Sequence, residues 1–384
     1  MPKILYVSTS TTIGGAEKTL YTLATLVNPS VCEVAGVVSL KPKGHFAREL
    51  EGLSKRVYSL KINEKVGLQD LQKLALVIHE TKPDIVHAIM YQAIQLARGV
   101  RRLGYADFKL VTSPRVHYRT RTGFSLFVDG ILKKADDLLI SESEASRSYL
   151  VDRLSYDKKK TLTIRNGVDI AGWSISKADR KERREMIGVT EEDFLIGSVG
   201  RLDEQKGHIH LVDAVASLLP NNPQLKCVVL GEGPMHEELQ TRINTLGIGP
   251  NMGLLGEQDQ ITAWLSAFDA FVLPSLWEGI PNALLEAMAL GLPVIATEVD
   301  GVSEAVVHDL SGILIKPGDP KAIGTAIQDM IDDKELGVRL GREAKNVVNE
   351  NFKLHTMIER YEKAYKAVLD GKVEELTAEK GHAF

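Results

Sequence analysis

Cysteine is scarce in this 384-residue chain: Cys32 and Cys227 are the only two, each inside an apolar run and far apart in sequence. A disulfide framework is excluded, and both read as reduced core thiols. Long hydrophobic runs are also missing. The apolar stretches, such as Ala270 to Leu273 before Pro274, fall far short of the roughly 20 residues that a membrane-spanning helix needs. Met1-Pro2-Lys3 leads directly into Ile4-Leu5-Tyr6-Val7, too short a run and without the small-residue cleavage site of a signal peptide. The expectation is a cytoplasmic protein. No Asp-x-Asp occurs anywhere, so the carboxylate pair that can hold a divalent cation on a diphosphate is absent. No glycine loop ends in Gly-Lys-Ser/Thr, which excludes a Walker A site. Fixed-period repeats and low-complexity tracts are absent too.

What is present is ordinary globular composition, 44% hydrophobic and 26% charged with 32 Gly and 14 Pro. At roughly 100–200 residues per domain the length favours two domains. The net charge of −4 hides an asymmetry: residues 1–169 hold 26 Lys or Arg against 17 Asp or Glu, and the remainder 21 against 34. A basic first half suggests an anionic partner there. Between Arg98 and Lys134 lie nine basic residues, Arg119 and Arg121 beside Phe124 among them, against only Asp107 and Asp129. An anionic membrane surface fits this cluster, as does a plainly solvated face. Nucleic acid fits less well, because the basic residues do not interleave with several aromatic stacking platforms.

Short β-branched runs alternate with helical patterns in both halves, as expected for α/β domains with parallel sheets. The first half offers strands at Ile4–Ser8, Val34–Ser39, Arg56–Leu60, Asp84–Ala88, Leu110–Ser113, Leu138–Ser141 and Thr161–Ile164. The second offers Leu195–Val199, Lys226–Leu230, Met252–Leu255, Ala270–Leu273, Val294–Ala296 and Gly312–Ile315. Asn166-Gly167-Val168-Asp169, a turn signal followed by a polar, basic stretch, marks the hinge. This gives an N-terminal domain of residues 1–169 and a C-terminal domain of 170–352. An amphipathic helix from about Lys353, with Leu354, Met357, Ile358, Tyr361, Tyr365 and Val368 at helical spacing, would complete the first domain within residues 353–384. The last dozen residues are polar and read as frayed.

Doubly wound sheets bind ligands at the carboxyl ends of their strands, which confines the search to a few loops. After Ile4–Ser8 comes Gly14-Gly15 at a helix start, suited to close approach by a diphosphate but equally to a tight turn. After Leu195–Val199 comes Gly200-Arg201-Leu202-Asp203-Glu204-Gln205-Lys206-Gly207. Arg201 and Lys206 could converge on one phosphate pair without metal; an isolated pair at this spacing is more often a solvated turn. The loop after Ala270–Leu273 is more specific. Pro281 is placed as a first-turn helix residue, so the N–H groups from Gly279 through Ile280 and Asn282 to Ala283 open a helix toward an anion. Glu278 precedes that helix and Glu286 lies about one turn inside it. Two carboxylates so placed suit hydroxyls on two parts of one ligand, such as a ribose and a hexose flanking a diphosphate. His87, at a strand end, either lines an acceptor cleft or is a satisfied polar residue. His208 and His210 lack a third ligand for a metal and read as helix-start residues.

Glu278 to Glu286 matches the E-x7-E signature, and the chain resembles the retaining glycosyltransferases of family 4. Gly14-Gly15-Ala16-Glu17, Asn166-Gly167-Val168-Asp169, Gly200-Arg201-Leu202 with Lys206-Gly207, Gly231-Glu232-Gly233-Pro234 and Gly291-Leu292-Pro293-Val294 extend the match over nearly the whole chain. The resemblance implies a GT-B fold: two facing Rossmann-like, doubly wound parallel-sheet domains with a cleft between them. It implies that Arg201 and Lys206 bind the donor diphosphate, Glu278 the donor sugar, Glu286 the ribose, and the backbone from Ile280 to Ala283 the phosphates, with Gly15 beneath the diphosphate. Where relatives often carry a His after the strand matching Leu110–Ser113, this chain has Pro114-Arg115-Val116-His117. Arg115 is the better positional match for a sugar contact, while His117 and Arg119 fall on the acceptor side. The expected activity is metal-independent, retaining transfer of a sugar from a nucleotide-sugar donor, a UDP-sugar for preference, to a glycan or lipid-linked envelope precursor. The nucleotide sugar is a substrate, so no cofactor is expected. The expected location is the cytoplasm, peripheral on the inner face of the membrane. A sugar-nucleotide epimerase on the same plan would lack the Glu278/Glu286 spacing. A silent nucleotide-sugar-binding subunit is opposed by intact Arg201, Lys206, Glu278 and Glu286.

Overall fold

The computed structural model describes residues 1–62, 66–115, 121, 123–170 and 174–378. The chain divides into two compact units, Met1–Asn166 with His355–Phe384 and Gly167–Leu354. The first holds strands β1 (Lys3–Ser8), β2 (Glu33–Ser39), β3 (Val57–Ser59), β4 (Ile85–Ile89), β5 (Lys109–Ser113), β6 (Leu138–Ser141) and β7 (Thr161–Thr163). They form one sheet in the order β3-β2-β1-β4-β5-β6-β7. The second holds β8 (Phe194–Val199), β9 (Leu225–Leu230), β10 (Met252–Leu254), β11 (Ala270–Leu273), β12 (Val294–Thr297) and β13 (Ile313–Ile315), in the order β10-β9-β8-β11-β12-β13. Neighbouring strands run parallel in both sheets. Helices cover both faces of such sheets, so the strands are continuous apolar runs rather than alternating ones. Ile4 to Val7 and Ala270 to Leu273 are accordingly buried along their whole length.

Each expected strand is present, with no end shifted by more than one residue. The helix Leu354–Leu369 returns to the first unit and buries Met357, Ile358, Tyr361, Ala364, Tyr365 and Val368. The expectation of a frayed terminus needs correction for the first six of the last dozen residues, while 379–384 lie outside the described residues. Val373–Ala378 is a short helix, held by a Lys159–Glu374 ion pair of 2.9 Å and by the Thr377 hydroxyl donating to the Lys159 carbonyl at 2.9 Å. The polar stretch after the hinge is likewise structured. In the helix Lys177–Met186, Arg184 is buried against Asp269 at 3.1 Å and donates to the Ala267 and Asp193 carbonyls.

The basic segment of the first unit is the larger surprise. Arg98 is fully buried, with Nε donating to Asp136 at 2.8 Å and Nη1 to Asp129 at 2.7 Å. Tyr156 donates to Asp129 at 2.5 Å and Thr112 to Asp136 at 3.0 Å. Arg101 pairs with Asp137. Counting charge along the sequence therefore overstates the surface charge, because these partners lie more than thirty positions away.

His87 on β4 is also internal. Its Nε2 meets the Ser113 hydroxyl at 2.8 Å and its Nδ1 the Tyr365 hydroxyl at 2.9 Å, which continues to Tyr6 at 3.3 Å. The ring is completely buried. It belongs to the core as a satisfied polar residue, which corrects its reading as an acceptor-side group. Burial, reinforced by the Arg115 charge, pulls its pKa down to about 3 and keeps it neutral.

Two outcomes follow. Arg98→Met strands two buried carboxylates and should cost about 3–5 kcal/mol in chemical denaturation at neutral pH; a loss below about 1 kcal/mol would mean the network is not structural. His87 binds its proton only after unfolding, so stability should fall as pH drops from its unfolded value near 6.5 toward 3, by up to about 1.4 kcal/mol per pH unit. His87→Gln should flatten that slope, and an unchanged slope would contradict the burial.

Candidate functional site

In the second sheet the chain runs outward from β8 to β10, then crosses back to β11 on the other side of β8. The strand order reverses between β8 and β11, and the loops leaving their carboxyl ends border the crevice where doubly wound sheets bind ligands. Both conspicuous motifs of this half fall on those two loops.

The loop after β8 turns through a short 3-10 helix, Glu204–Lys206, capped by the Asp203 side chain. Gly207 then takes a left-handed conformation, φ 62°, and a Cβ there would lie 2.2 Å from the Pro274 carbonyl oxygen. Only glycine lets the β8 loop lie this close to the β11 loop. Gly200 leaves room for the Lys206 stem, whose Cδ would stand 3.2 Å from a Cβ at that position. Lys206 is thereby carried across, and its Nζ donates to Glu278 Oε1. Ser275 donates to the same oxygen at 2.8 Å, and Gln205 Nε2 reaches the Trp277 carbonyl at 3.0 Å. Glu278 is buried, and its Oε2 meets only Gln205, at 3.4 Å, among the described residues. One carboxylate oxygen is fixed and the other retains capacity to accept hydroxyl donors.

Arg201 behaves differently. Its side chain is 70% exposed, with Nε 3.4 Å from Asp203. The structure joins Lys206 to Glu278 and leaves Arg201 extended beside them. The helix after β11 is Asn282–Leu290, one residue later than expected, with Pro281 as its N-cap and no side-chain cap. Its first N–H groups therefore rely on partners other than a capping side chain, at the positive end of the helix dipole. Gly279 and Ile280 lead into it, Asn282 and Ala283 begin it, and Glu286 lies buried in its second turn among apolar neighbours.

His208 opens the next helix, His208–Leu218. It is buried and held neutral, its pKa pulled down to about 3 by desolvation and by the Lys206 charge. Among the described residues no three His, Cys, Asp or Glu side chains gather as a metal ion would require.

The first unit repeats the reversal between β1 and β4, and the glycine loop follows β1. Gly14 is the N-cap of the helix Gly15–Leu26. The Glu17 carboxylate folds back on it, accepting from the Ser10 hydroxyl, and a Cβ on Gly14 would meet Glu17 Oε2 at 2.4 Å. A carboxylate sits at this turn, a partner that sequence spacing does not reveal. Arg115, just past β5, has φ 56°, an uncommon left-handed backbone for a side chain of its size. One terminal nitrogen donates to Asn166 Oδ1 and the other to the Tyr361 hydroxyl at 2.5 Å. This side chain ties the end of β5 to the chain's exit from the unit and to the helix Leu354–Leu369. His117 and Arg119 lie outside the described residues.

Comparison with known proteins gives the same picture from another direction. The family model "Glycosyltransferase Family 4" matches residues 13–171, and "Glycosyl transferases group 1" matches residues 179–347. The chain is similar to the UDP-Gal:alpha-D-GlcNAc-diphosphoundecaprenol alpha-1,3-galactosyltransferase of Escherichia coli, 28% identical over 308 residues, 78% of this chain and 79% of that protein. It is also similar to the capsular polysaccharide biosynthesis glycosyltransferase CapM of Staphylococcus aureus, 24% identical over 311 residues, 79% of this chain and 81% of that protein. Among solved structures, HepE of Anabaena in complex with UDP and glucose matches with a TM-score of 0.85 at 24% identity, covering 96% of this chain and all of that one. That likeness shows the fold, two parallel-sheet α/β domains of the GT-B type. With one family model on each half, the chain belongs to the family 4 glycosyltransferases and is an enzyme of that class.

Proposed function

We propose that the chain transfers a sugar from a UDP-sugar to a lipid-linked or envelope-polysaccharide acceptor, with retention of anomeric configuration and without a metal ion. The observation that carries this reading is the Lys206–Glu278 pair at the reversal point of the second sheet, beside a helix start whose N-cap is Pro281 and the exposed Arg201. Support for the donor and acceptor classes comes from the UDP-bound HepE structure and from the lipid-linked and capsular substrates named for the two bacterial relatives.

In this reading the diphosphate lies against the start of the helix Asn282–Leu290, where backbone dipoles favour negative charge. Arg201 and Lys206 neutralise the charge that grows on the leaving phosphate, doing the work a divalent cation would otherwise do. Glu278 accepts hydroxyls of the donor sugar through Oε2, and Glu286 accepts those of the ribose. As the bond from the anomeric carbon to the phosphate oxygen breaks, the acceptor oxygen forms its bond on the same face. The departing phosphate oxygen takes the acceptor's proton, so no separate base is needed.

Arg201→Ala removes an exposed group and should leave the melting temperature unchanged while lowering donor hydrolysis and transfer by about 10²–10³-fold. Lys206→Ala should lower them at least as far. Its melting temperature should fall as well, since Glu278 loses its buried counter-charge. Unchanged hydrolysis in both variants would overturn the phosphate assignment. Chelation with EDTA should leave the transfer rate within about twofold, whereas loss of activity restored by Mg²⁺ would overturn metal independence.

A further inference from the structure

The helix Gly123–Leu132 is built inside out. Its one buried residue is a carboxylate, Asp129, while Phe124 is 78%, Phe127 66% and Ile131 46% exposed. These three follow one another at spacings of three and four, so they form a single stripe along the helix. The helix cannot roll to hide them. Asp129 is held by Arg98 Nη1 at 2.7 Å, by Tyr156 at 2.5 Å and by Gln95 Nε2 at 2.7 Å, which fixes the face that points outward.

The charges around the stripe are of one sign. Arg121 lies before it, with its guanidinium 4.2 Å above the Tyr91 ring, and exposed Lys134 follows its end; Lys133 is half-buried and donates to the Leu154 and Ser155 carbonyls. From Arg121 to Lys134 the only acidic residue is the buried Asp129. An isologous contact with a second copy would bring these cations face to face, which disfavours a dimer. Aromatic and aliphatic side chains flanked in sequence by cations match an anionic lipid headgroup layer over shallow acyl chains.

We infer that the stripe of Phe124, Phe127 and Ile131, with Arg121 and Lys134, is a docking surface for an anionic bilayer. It holds the enzyme at the membrane reversibly by combining shallow apolar insertion with headgroup attraction. The inference rests on the proposed lipid-linked acceptor for its purpose, and on the exposed stripe for its evidence. It replaces the diffuse basic cluster, in which Arg98 and Arg101 are spent internally on Asp129, Asp136 and Asp137.

The test is co-sedimentation of the full chain with phosphatidylcholine vesicles and with vesicles that also contain phosphatidylglycerol. The wild type should bind the anionic vesicles in preference and release as salt rises. Phe124→Ser/Phe127→Ser should weaken that binding by about tenfold, with an unchanged melting temperature because both side chains are exposed. Lys134→Glu should weaken it about fivefold or more. Equal binding of the double variant and the wild type, or equal binding to neutral vesicles, would overturn the inference. So would a concentration-dependent dimer abolished by the same double variant. Donor hydrolysis without vesicles should be the same in wild type and double variant, so a failure of vesicle binding leaves the proposed transfer standing, and a failure of hydrolysis does not touch the vesicle result.

Discussion

The ion pair between Lys206 and Glu278 is the constraint around which the loops at the reversal point of the second sheet are organised. Two buried or half-buried charges are expensive to desolvate, and they persist only where geometry makes each the other's partner. Here that geometry comes from the backbone. Gly207 lets the loop after β8 press on Pro274, and Gly200 clears the path for the lysine stem. Ser275 and Gln205 then orient the carboxylate. A cation and an acceptor oxygen are thus presented together at the point where the sheet reverses its order, with a helix start beside them. That combination suits a ligand that is anionic in one part and hydroxylated in the next.

The fold was largely legible because parallel strands buried on both faces leave a local trace. Ala270–Leu273 is a short apolar run closed by a proline, and it is a strand from end to end. Arg56–Leu60 shrinks to Val57–Ser59 because an edge strand has only one neighbour to hold its ends. The loops after β8 and β11 stood out for a related reason: glycines, paired cations and paired carboxylates at strand ends leave patterns a few residues wide.

What escaped the sequence was set by distance. Arg98 looked like one of nine surface cations, yet its partners Asp129 and Asp136 come from segments folded back against it. Arg115 has a partner that local spacing cannot show, since Tyr361, 246 positions away, takes one of its nitrogens. His87 could be read either way until burial and its two hydroxyl partners resolved the choice. Glu17 folds onto Gly14, so the glycine turn also carries a carboxylate. In each case the residue type was correctly noticed, and its partner decided the role.

The central claim is that the loops after β8 and β11 hold the donor's diphosphate and sugar. A crystal structure with UDP tests it most directly. The account predicts density for the diphosphate against the start of the helix Asn282–Leu290, with Arg201 and Lys206 on its β-phosphate and the ribose hydroxyls on Glu286. Nucleotide bound elsewhere, or with its phosphates out of reach of both cations, would contradict it.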